Sequence, residues 1–218
     1  MDTQSVKAAI KNSFCYSIIM HIPGYLRDRN EIRKWEMNGK PLPPPHVVKQ
    51  RVVKEYARIF SVNILIETGT YCGDMVYATK NTFKSIFSIE IDKDLFEGAR
   101  RRFVKFGHIT IVQGDSTQVL PSILPSIRSP CLFWLDGHYS GGITGKGELE
   151  TPIVQELLHI TKHPIKEHVV LIDDARCFVG SGNYPTIQEL HDLILSRFPG
   201  HVFQIKDDII RINRRIGK

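Results

Sequence analysis

The sequence lacks the cysteine spacing that metal sites and disulfide frameworks require. Its four cysteines, Cys15, Cys72, Cys131 and Cys177, are far apart in a chain of 218 residues, and they form no C-x-x-C pair. This spacing argues against a zinc site and against a disulfide-stapled fold. We therefore expect reduced thiols and a cytoplasmic protein.

The sequence also lacks a long apolar run and a charge of one sign. The apolar stretch at residues 14–22 contains Ser17 and His21, and it is far shorter than the roughly 20 residues needed to cross a bilayer. No signal peptide is evident. The net charge is +6, but acids and bases alternate in residues 27–34, as on a solvated helix face. We expect neither a membrane nor a nucleic-acid partner.

Apolar residues make up 42% of the chain, enough for one full core and a small appendage. We expect residues 1–60 to form a helical N-terminal appendage. It includes a proline-rich linker at residues 39–45 and a last helix at residues 46–60, which has an apolar face. Residues 61–218 are then the main domain.

Strand and helix patterns alternate throughout the main domain. Strands are predicted at residues 62–66, 85–91, 109–112, 131–135, 168–172, 202–205 and 209–212. Helices are predicted at residues 75–83, 93–106, 116–124, 150–161 and 187–198. Such alternation indicates a parallel sheet covered on both faces, and the short segment 206–208 indicates a closing hairpin. The predicted fold is α/β and Rossmann-like: a doubly wound, mostly parallel seven-stranded sheet with an antiparallel C-terminal hairpin.

A glycine loop follows the first predicted strand. The segment Leu65-Ile66-Glu67-Thr68-Gly69-Thr70-Tyr71-Cys72-Gly73 is followed by Glu90, 21 positions after Gly69. An acid about 20 residues beyond such glycines accepts hydrogen bonds from a ribose diol. Glu67 would repel a pyrophosphate but suits a ligand that carries an ammonium and a sulfonium, which favours S-adenosylmethionine (SAM) over NAD. The alternative is an ordinary strand-turn-helix in which Glu67 caps the helix.

Carboxylates also follow the third, fourth and fifth strands. Asp115 could accept a hydrogen bond from an adenine amino group or could cap the next helix. Asp136 and the pair Asp173-Asp174 leave neighbouring strands, so their carboxylates should meet. Three carboxylates at close range repel one another, and a hard cation such as Mg²⁺ would offset that repulsion. The alternative is that Asp136 and Asp174 cap turns while only Asp173 faces the cleft.

Together these motifs make residues 62–215 resemble a class I SAM-dependent methyltransferase, and more narrowly the metal-dependent O-methyltransferases of the catechol and macrolide-sugar types. The resemblance implies a cofactor site and a Mg²⁺ site. The implied cofactor residues are Glu67, Gly69, Thr70, Gly73, Glu90, Asp115 and Ser116. The implied metal ligands are Asp136, Asp173 and Asp174. The Asp-Asp pair matches the sugar enzymes rather than the Asp-Asn of the catechol type.

The general base is less well defined by the sequence. The lysine that the catechol enzyme carries shortly after its fourth-strand aspartate is missing here. His138 is the candidate base, since histidine titrates near neutral pH, although it could instead orient Asp136. The last appendage helix begins with His46, Lys49 and Gln50 near where a substrate would enter, and surface exposure is their ordinary interpretation.

The sequence thus predicts a transferase that moves a methyl group from SAM to a hydroxyl of a small polar molecule, a sugar or a natural-product intermediate, with Mg²⁺ assistance. Asp136 and His138 are its predicted catalytic residues. Two alternatives remain: a metal-independent methyltransferase acting on RNA or protein, and a non-catalytic module that binds an adenosyl ligand. The sequence identifies neither the acceptor nor the oligomeric state, and a homo-oligomer is allowed.

Overall fold

The computed structural model describes residues 24–137 and 151–215. Seven strands occur within these residues: β1 (Ile64–Thr68), β2 (Ser85–Glu90), β3 (Ile109–Gln113), β4 (Leu132–Leu135), β5 (Val169–Ile172), β6 (His201–Lys206) and β7 (Ile209–Arg214). Seven α-helices occur in the same residues: α1 (Gly24–Met37), α2 (His46–Ile59), α3 (Asp74–Thr79), α4 (Lys93–Phe103), α5 (Ser116–Ile123), α6 (Ile153–Lys162) and α7 (Ile187–Arg197).

The strands form one sheet in the order β3-β2-β1-β4-β5-β7-β6. Strands β1 to β5 are parallel, and β7 is inserted antiparallel between β5 and β6. The predicted fold class is confirmed, including the antiparallel C-terminal hairpin. The strand order reverses between β1 and β4, and ligands of such sheets bind in the crevice at the carboxyl ends of the strands at this point.

The central strands carry unbroken apolar runs because both faces of the sheet are covered. All four residues of β4 are buried, and so are all four residues of β5. Side chains alternate between the faces, so Ile66 and Phe133 join one apolar layer while Leu65 and Trp134 join the other. This burial on both sides holds the carboxyl ends of the strands in fixed positions.

Helix α2, the last helix of the predicted appendage, packs on the sheet. Its residues Val52, Val53 and Ala57 lie in the same apolar layer as Leu65 and Trp134. They are spaced by one, four and five positions, which places them on one face of a helix. Nothing in the structure tests a division at residue 60, but α2 is part of the core that supports the sheet.

Several element bounds differ by a few residues from the sequence predictions; for example, β1 is Ile64–Thr68 instead of 62–66. The helix after the glycine loop was predicted to reach residue 83 but ends at Thr79, because the chain turns to bury Phe83 in the core before β2. The expectation of reduced thiols is wrong for Cys72, which is disulfide-bonded, whereas Cys131 and Cys177 are free.

In the part of the chain that the structure describes, no helix has the length and apolar character needed to cross a membrane.

Candidate active site

The glycine loop lies directly against the exit of β4. Gly69 has a φ of 83°, in the left-handed region that favours glycine. A Cβ added at Gly69 would lie 2.5 Å from the Asp136 carbonyl oxygen. The Gly69 and Thr70 amides donate to the Ile89 carbonyl of β2 at 3.0 and 3.2 Å. The loop is therefore fixed between the ends of β2 and β4, where the strand order reverses.

Glu67 lies at the base of this loop and is almost fully buried. The Ser88 hydroxyl donates to the Glu67 carboxyl, and the Ser88 and Thr70 hydroxyls lie 2.6 Å apart. Burial raises the pKa of Glu67 to about 8; the Ser88 hydrogen bond opposes this rise, and the charges of Glu90 and Asp74 add to it. Burial thus favours the neutral carboxylic acid of Glu67. An ammonium placed beside it would lower that pKa and favour the carboxylate.

Glu90 connects the end of β2 to the glycine loop. Its carboxylate accepts from the Tyr71 amide at 2.7 Å and from the Asp92 amide at 2.9 Å. Each oxygen retains a lone pair that can accept from a ribose hydroxyl. Burial raises the pKa of Glu90, while the backbone amides of Asp92 and Tyr71 oppose that rise. The structure thus brings Glu90 and the glycine loop together, as the sequence predicts for a cofactor site.

The other predicted cofactor residues have structural roles that are visible here. Gly73 has a φ of 77°, and an added Cβ would lie 2.6 Å from the Phe103 ring of α4. Asp115 is the N-cap of α5 and accepts from the Thr117 amide at 2.8 Å and from its hydroxyl at 2.7 Å. Asp115 therefore caps α5, as one of the two sequence interpretations predicts. Both hydrogen bonds go to the same carboxylate oxygen, Oδ1. Ser116 follows it and is buried.

The acidic pair after β5 is bound by a lysine from the appendage helix. Lys49 of α2 donates to Asp173, and it donates to Asp174 at 3.3 Å. Its side chain is only 12% exposed, so surface exposure was the wrong interpretation. Burial alone would lower the pKa of the Lys49 ammonium, but the charges of Asp173, Asp174 and Asp136 raise it. Burial raises the pKa of Asp173, and the Lys49 charge opposes that rise.

A second cation, Arg176, contacts the same acidic pair at Asp174. Arg176 donates to Asp174 at 2.7 Å and also to Asp208, in the β6–β7 turn. Asp174 has a φ of 56°, a left-handed conformation that aspartate tolerates. Arg176 therefore balances part of the charge of the acidic pair. The Asp173-Asp174 pair thus contacts two protein cations, and both of them reach Asp174 Oδ1.

The predicted metal ligands do not form a recognisable metal-binding group. Across residues 24–137 and 151–215, no group of three or more His, Cys, Asp or Glu side chains is arranged to hold a metal ion. Asp136 is half-buried at the β4 exit, and its amide donates to the Thr68 carbonyl at 3.1 Å. His138, the predicted base, lies outside the described residues.

A pocket opens beside Asp173 at the ends of β4 and β5. Its lining combines apolar side chains with two acids: Leu135, Gly137, Thr151, Ile153, Glu156, Ile172, Asp173, Phe178 and Tyr184. Small-molecule sites have similar linings, largely apolar with a few polar groups, but the space that these residues enclose is only about the size of one water molecule. Burial raises the pKa of Glu156 to about 7, while the Ser116 and Thr68 hydroxyls oppose that rise.

Glu156 was missed in the sequence analysis. It lies on the buried face of α6 between Ile153 and Leu157, and its exposure is only 1%. A lone acid on an apolar helix face is the signal that could have identified it, because an unpaired glutamate is almost never fully buried.

The strand order, and the glycine loop beside Glu90 at the end of β2, form the fold that the resemblance to class I SAM-dependent methyltransferases implies. No protein-family model matches the sequence, and no curated protein matches it either. Solved structures do match, at low sequence identity. The chain is thus similar in fold to these enzymes, which confirms the resemblance drawn from the sequence at the level of the fold.

Three solved structures illustrate the similarity. The O-methyltransferase TomG from Streptomyces achromogenes, involved in tomaymycin synthesis and solved with SAM, is 14% identical, with 100% of each chain covered and a TM-score of 0.59. An O-methyltransferase from Bacillus cereus in complex with SAH is 10% identical, with 94% of this chain and 97% of that chain covered and a TM-score of 0.57. The SAH-bound methyltransferase PaMTH1 from Podospora anserina is 16% identical, with 99% and 98% covered and a TM-score of 0.55.

Proposed function

We propose that the protein is a SAM-dependent O-methyltransferase that acts on a hydroxyl of a small polar molecule, such as a sugar or a natural-product intermediate. One observation carries the proposal: the Glu90 carboxylate accepts a hydrogen bond from the Tyr71 amide of the glycine loop. The acid that suits a ribose is therefore joined to the glycine loop, close to the point where the strand order reverses. The SAM and SAH bound to the similar structures support the same cofactor.

In this proposal the side chains that line the pocket beside Asp173 would surround the acceptor oxygen. In the reaction, a bond forms between the acceptor oxygen and the methyl carbon while the bond from that carbon to sulfur breaks. The sulfonium becomes a neutral thioether, and the hydroxyl proton leaves to a base. The transfer step itself, from the sulfonium to the deprotonated oxygen, removes a positive and a negative charge, so apolar walls such as Leu135, Ile172 and Phe178 favour it by excluding water. His138 stays the predicted base.

The Mg²⁺ predicted from the sequence does not fit the residues as they are arranged. Asp173 and Asp174 already contact the Lys49 ammonium and, at Asp174, the Arg176 guanidinium. A divalent ion at these carboxylates would lie against the ammonium and be repelled by it. No step of the proposed reaction passes through a metal. The absence of a nucleic-acid partner stays part of the proposal. A cytoplasmic location also stays a proposal, but it no longer draws support from reduced thiols, since Cys72 is disulfide-bonded.

Titration calorimetry with SAM, SAH and NAD tests the cofactor assignment. We expect both adenosyl ligands to bind and NAD not to bind. Glu90→Gln should weaken SAM binding by roughly tenfold to a hundredfold, because hydrogen bonds to a charged group contribute about 1.5–3 kcal/mol. Asp94→Asn is the matched control, since Asp94 is an exposed acid at the start of α4. If neither adenosyl ligand binds, or if Glu90→Gln binds SAM like the wild type, the proposal is wrong.

A further inference from the structure

The Lys49 ammonium lies where the sequence pattern predicts a metal ion. It contacts two carboxylates that were expected to be ligands of that ion, and it is within electrostatic reach of the third, Asp136. The side chains involved are shielded: Lys49 is 12% exposed, Asp173 1% and Asp174 10%. An ammonium donates three hydrogen bonds and carries one positive charge, so it can offset the repulsion between these carboxylates.

The position of Lys49 is set by the packing of α2. Lys49 precedes Val52 and Val53 by three and four positions, so its stem lies on the helix face that packs on the sheet. Val53 is fully buried and Val52 nearly so, in the layer that also holds Trp134 of β4. The core of the domain therefore directs this lysine toward the ends of β4 and β5.

The charge balance favours the ammonium over a divalent ion. Three carboxylates, of Asp173, Asp174 and Asp208, contact two protein cations, Lys49 and Arg176. Only part of the negative charge that would attract Mg²⁺ therefore remains. Hard divalent ions need several free oxygen ligands, and here Asp173 accepts from Lys49 with one oxygen and from the Asp174 amide with the other.

We infer that Lys49 takes the place of the divalent cation in this protein, so that Asp173 and Asp174 bind the lysine and not Mg²⁺. If the proposed methyl transfer is correct, on which this part rests, the ammonium is the positive charge beside the acceptor pocket that Asp173 lines. It would donate to the acceptor oxygen and hold it in place while the methyl group is transferred.

Manganese binding tests the inference without any acceptor. The purified full chain is titrated with MnCl₂, and the free Mn²⁺ signal is followed by electron paramagnetic resonance. We expect no stoichiometric binding by the wild type. Lys49→Gln keeps a hydrogen-bond donor but removes the positive charge. This variant should bind one Mn²⁺ per chain, roughly a hundredfold or more tighter than the wild type does, because a positive charge at contact distance from the ion is gone. Lys49→Met is a second variant in case the amide itself blocks the site.

Matched changes separate this result from a general effect of charge. Lys54→Gln alters the same residue type at an exposed position of the same helix and should behave like the wild type. Adding Asp173→Asn to Lys49→Gln should abolish the new binding. The inference is overturned if the wild type binds one Mn²⁺ that Asp173→Asn removes, or if folded Lys49→Gln and Lys49→Met both leave Mn²⁺ free. SAM calorimetry on the same samples shows separately whether the cofactor assignment fails.

Discussion

Gly69→Ala should destabilise the protein through a clash at the centre of the candidate site. The φ of 83° at Gly69 is strained for any residue with a side chain. The added Cβ would lie 2.5 Å from the Asp136 carbonyl oxygen, 2.9 Å from its carbonyl carbon and 3.2 Å from the Gly137 Cα. All three are backbone atoms at the exit of β4, which is buried in the middle of the sheet, so they cannot move aside as a flexible side chain would.

The magnitude follows from two costs. The left-handed conformation costs an alanine about 1–2 kcal/mol. Forcing a methyl group into packed atoms costs about 1–3 kcal/mol more. Their sum, about 2–5 kcal/mol, is a large fraction of the stability of an ordinary domain. Each kcal/mol lowers the melting temperature of a protein of this size by about 2–4 °C, so we expect a decrease of roughly 4–20 °C.

Urea denaturation followed by circular dichroism measures this loss, with calorimetry for the melting temperature. Gly98→Ala is the matched control, because Gly98 lies within helix α4 and an added Cβ meets nothing within 4 Å. That variant should gain about 0.5–1 kcal/mol from higher helix propensity. A free energy of unfolding of Gly69→Ala within about 0.5 kcal/mol of the wild type would refute the close approach of the loop to β4, since that value is the usual scatter of neutral substitutions.

Two further predictions concern a buried acid and a helix cap. Because the pKa of Glu67 rises from 4.5 unfolded to about 8 folded, its contribution to stability is fully present below pH 4.5 and is lost as the pH rises to 8. Glu67→Gln should reduce the fall of stability between pH 5 and 7 by on the order of 1 kcal/mol per pH unit in urea denaturation, and an unchanged slope would contradict this. Thr186→Ala removes the capping box formed with Glu189 at the start of α7 and should cost about 1 kcal/mol of unfolding free energy; no loss would show that the cap contributes nothing.

The fold was predictable because its signals are local. Runs such as residues 132–135 are apolar at every position, which is typical of a strand buried on both faces. The glycine loop and Glu90 were predictable for a similar reason, since a parallel sheet brings all carboxyl ends of its strands to one edge. The helix ends were less predictable: α3 stops at Thr79 because Phe83 is drawn into the core, a tertiary effect that helical periodicity does not contain.

The protonation state of Glu67 was not predictable from the motif. The sequence interpretation treated Glu67 as a carboxylate ready for an ammonium. Its pKa instead depends on how completely the neighbouring strands cover it and on the Ser88 hydroxyl that donates to it. Ser88 stands opposite Glu67 in the register of β1 and β2, and that register is known only once the strands are paired. The sequence shows that an acid stands at the end of this strand, but the side chains that surround the acid determine its charge.

The motif also does not predict which cation lies beside Asp173. Carboxylates gathered at neighbouring strand ends need positive charge, and this much follows from the sequence. The charge can come from a bound ion or from a protein side chain, and the motif does not distinguish the two. Lys49 is 124 positions before Asp173 and belongs to a helix outside the motif, so only the docking of α2 through Val52 and Val53 makes it a partner. One clue lies in the sequence, because a lysine three and four positions before a buried pair lies on the buried face of its helix. A buried ammonium needs a carboxylate partner, because an unpaired charge is costly to bury. Here its partners are the aspartates that the motif assigns to Mg²⁺.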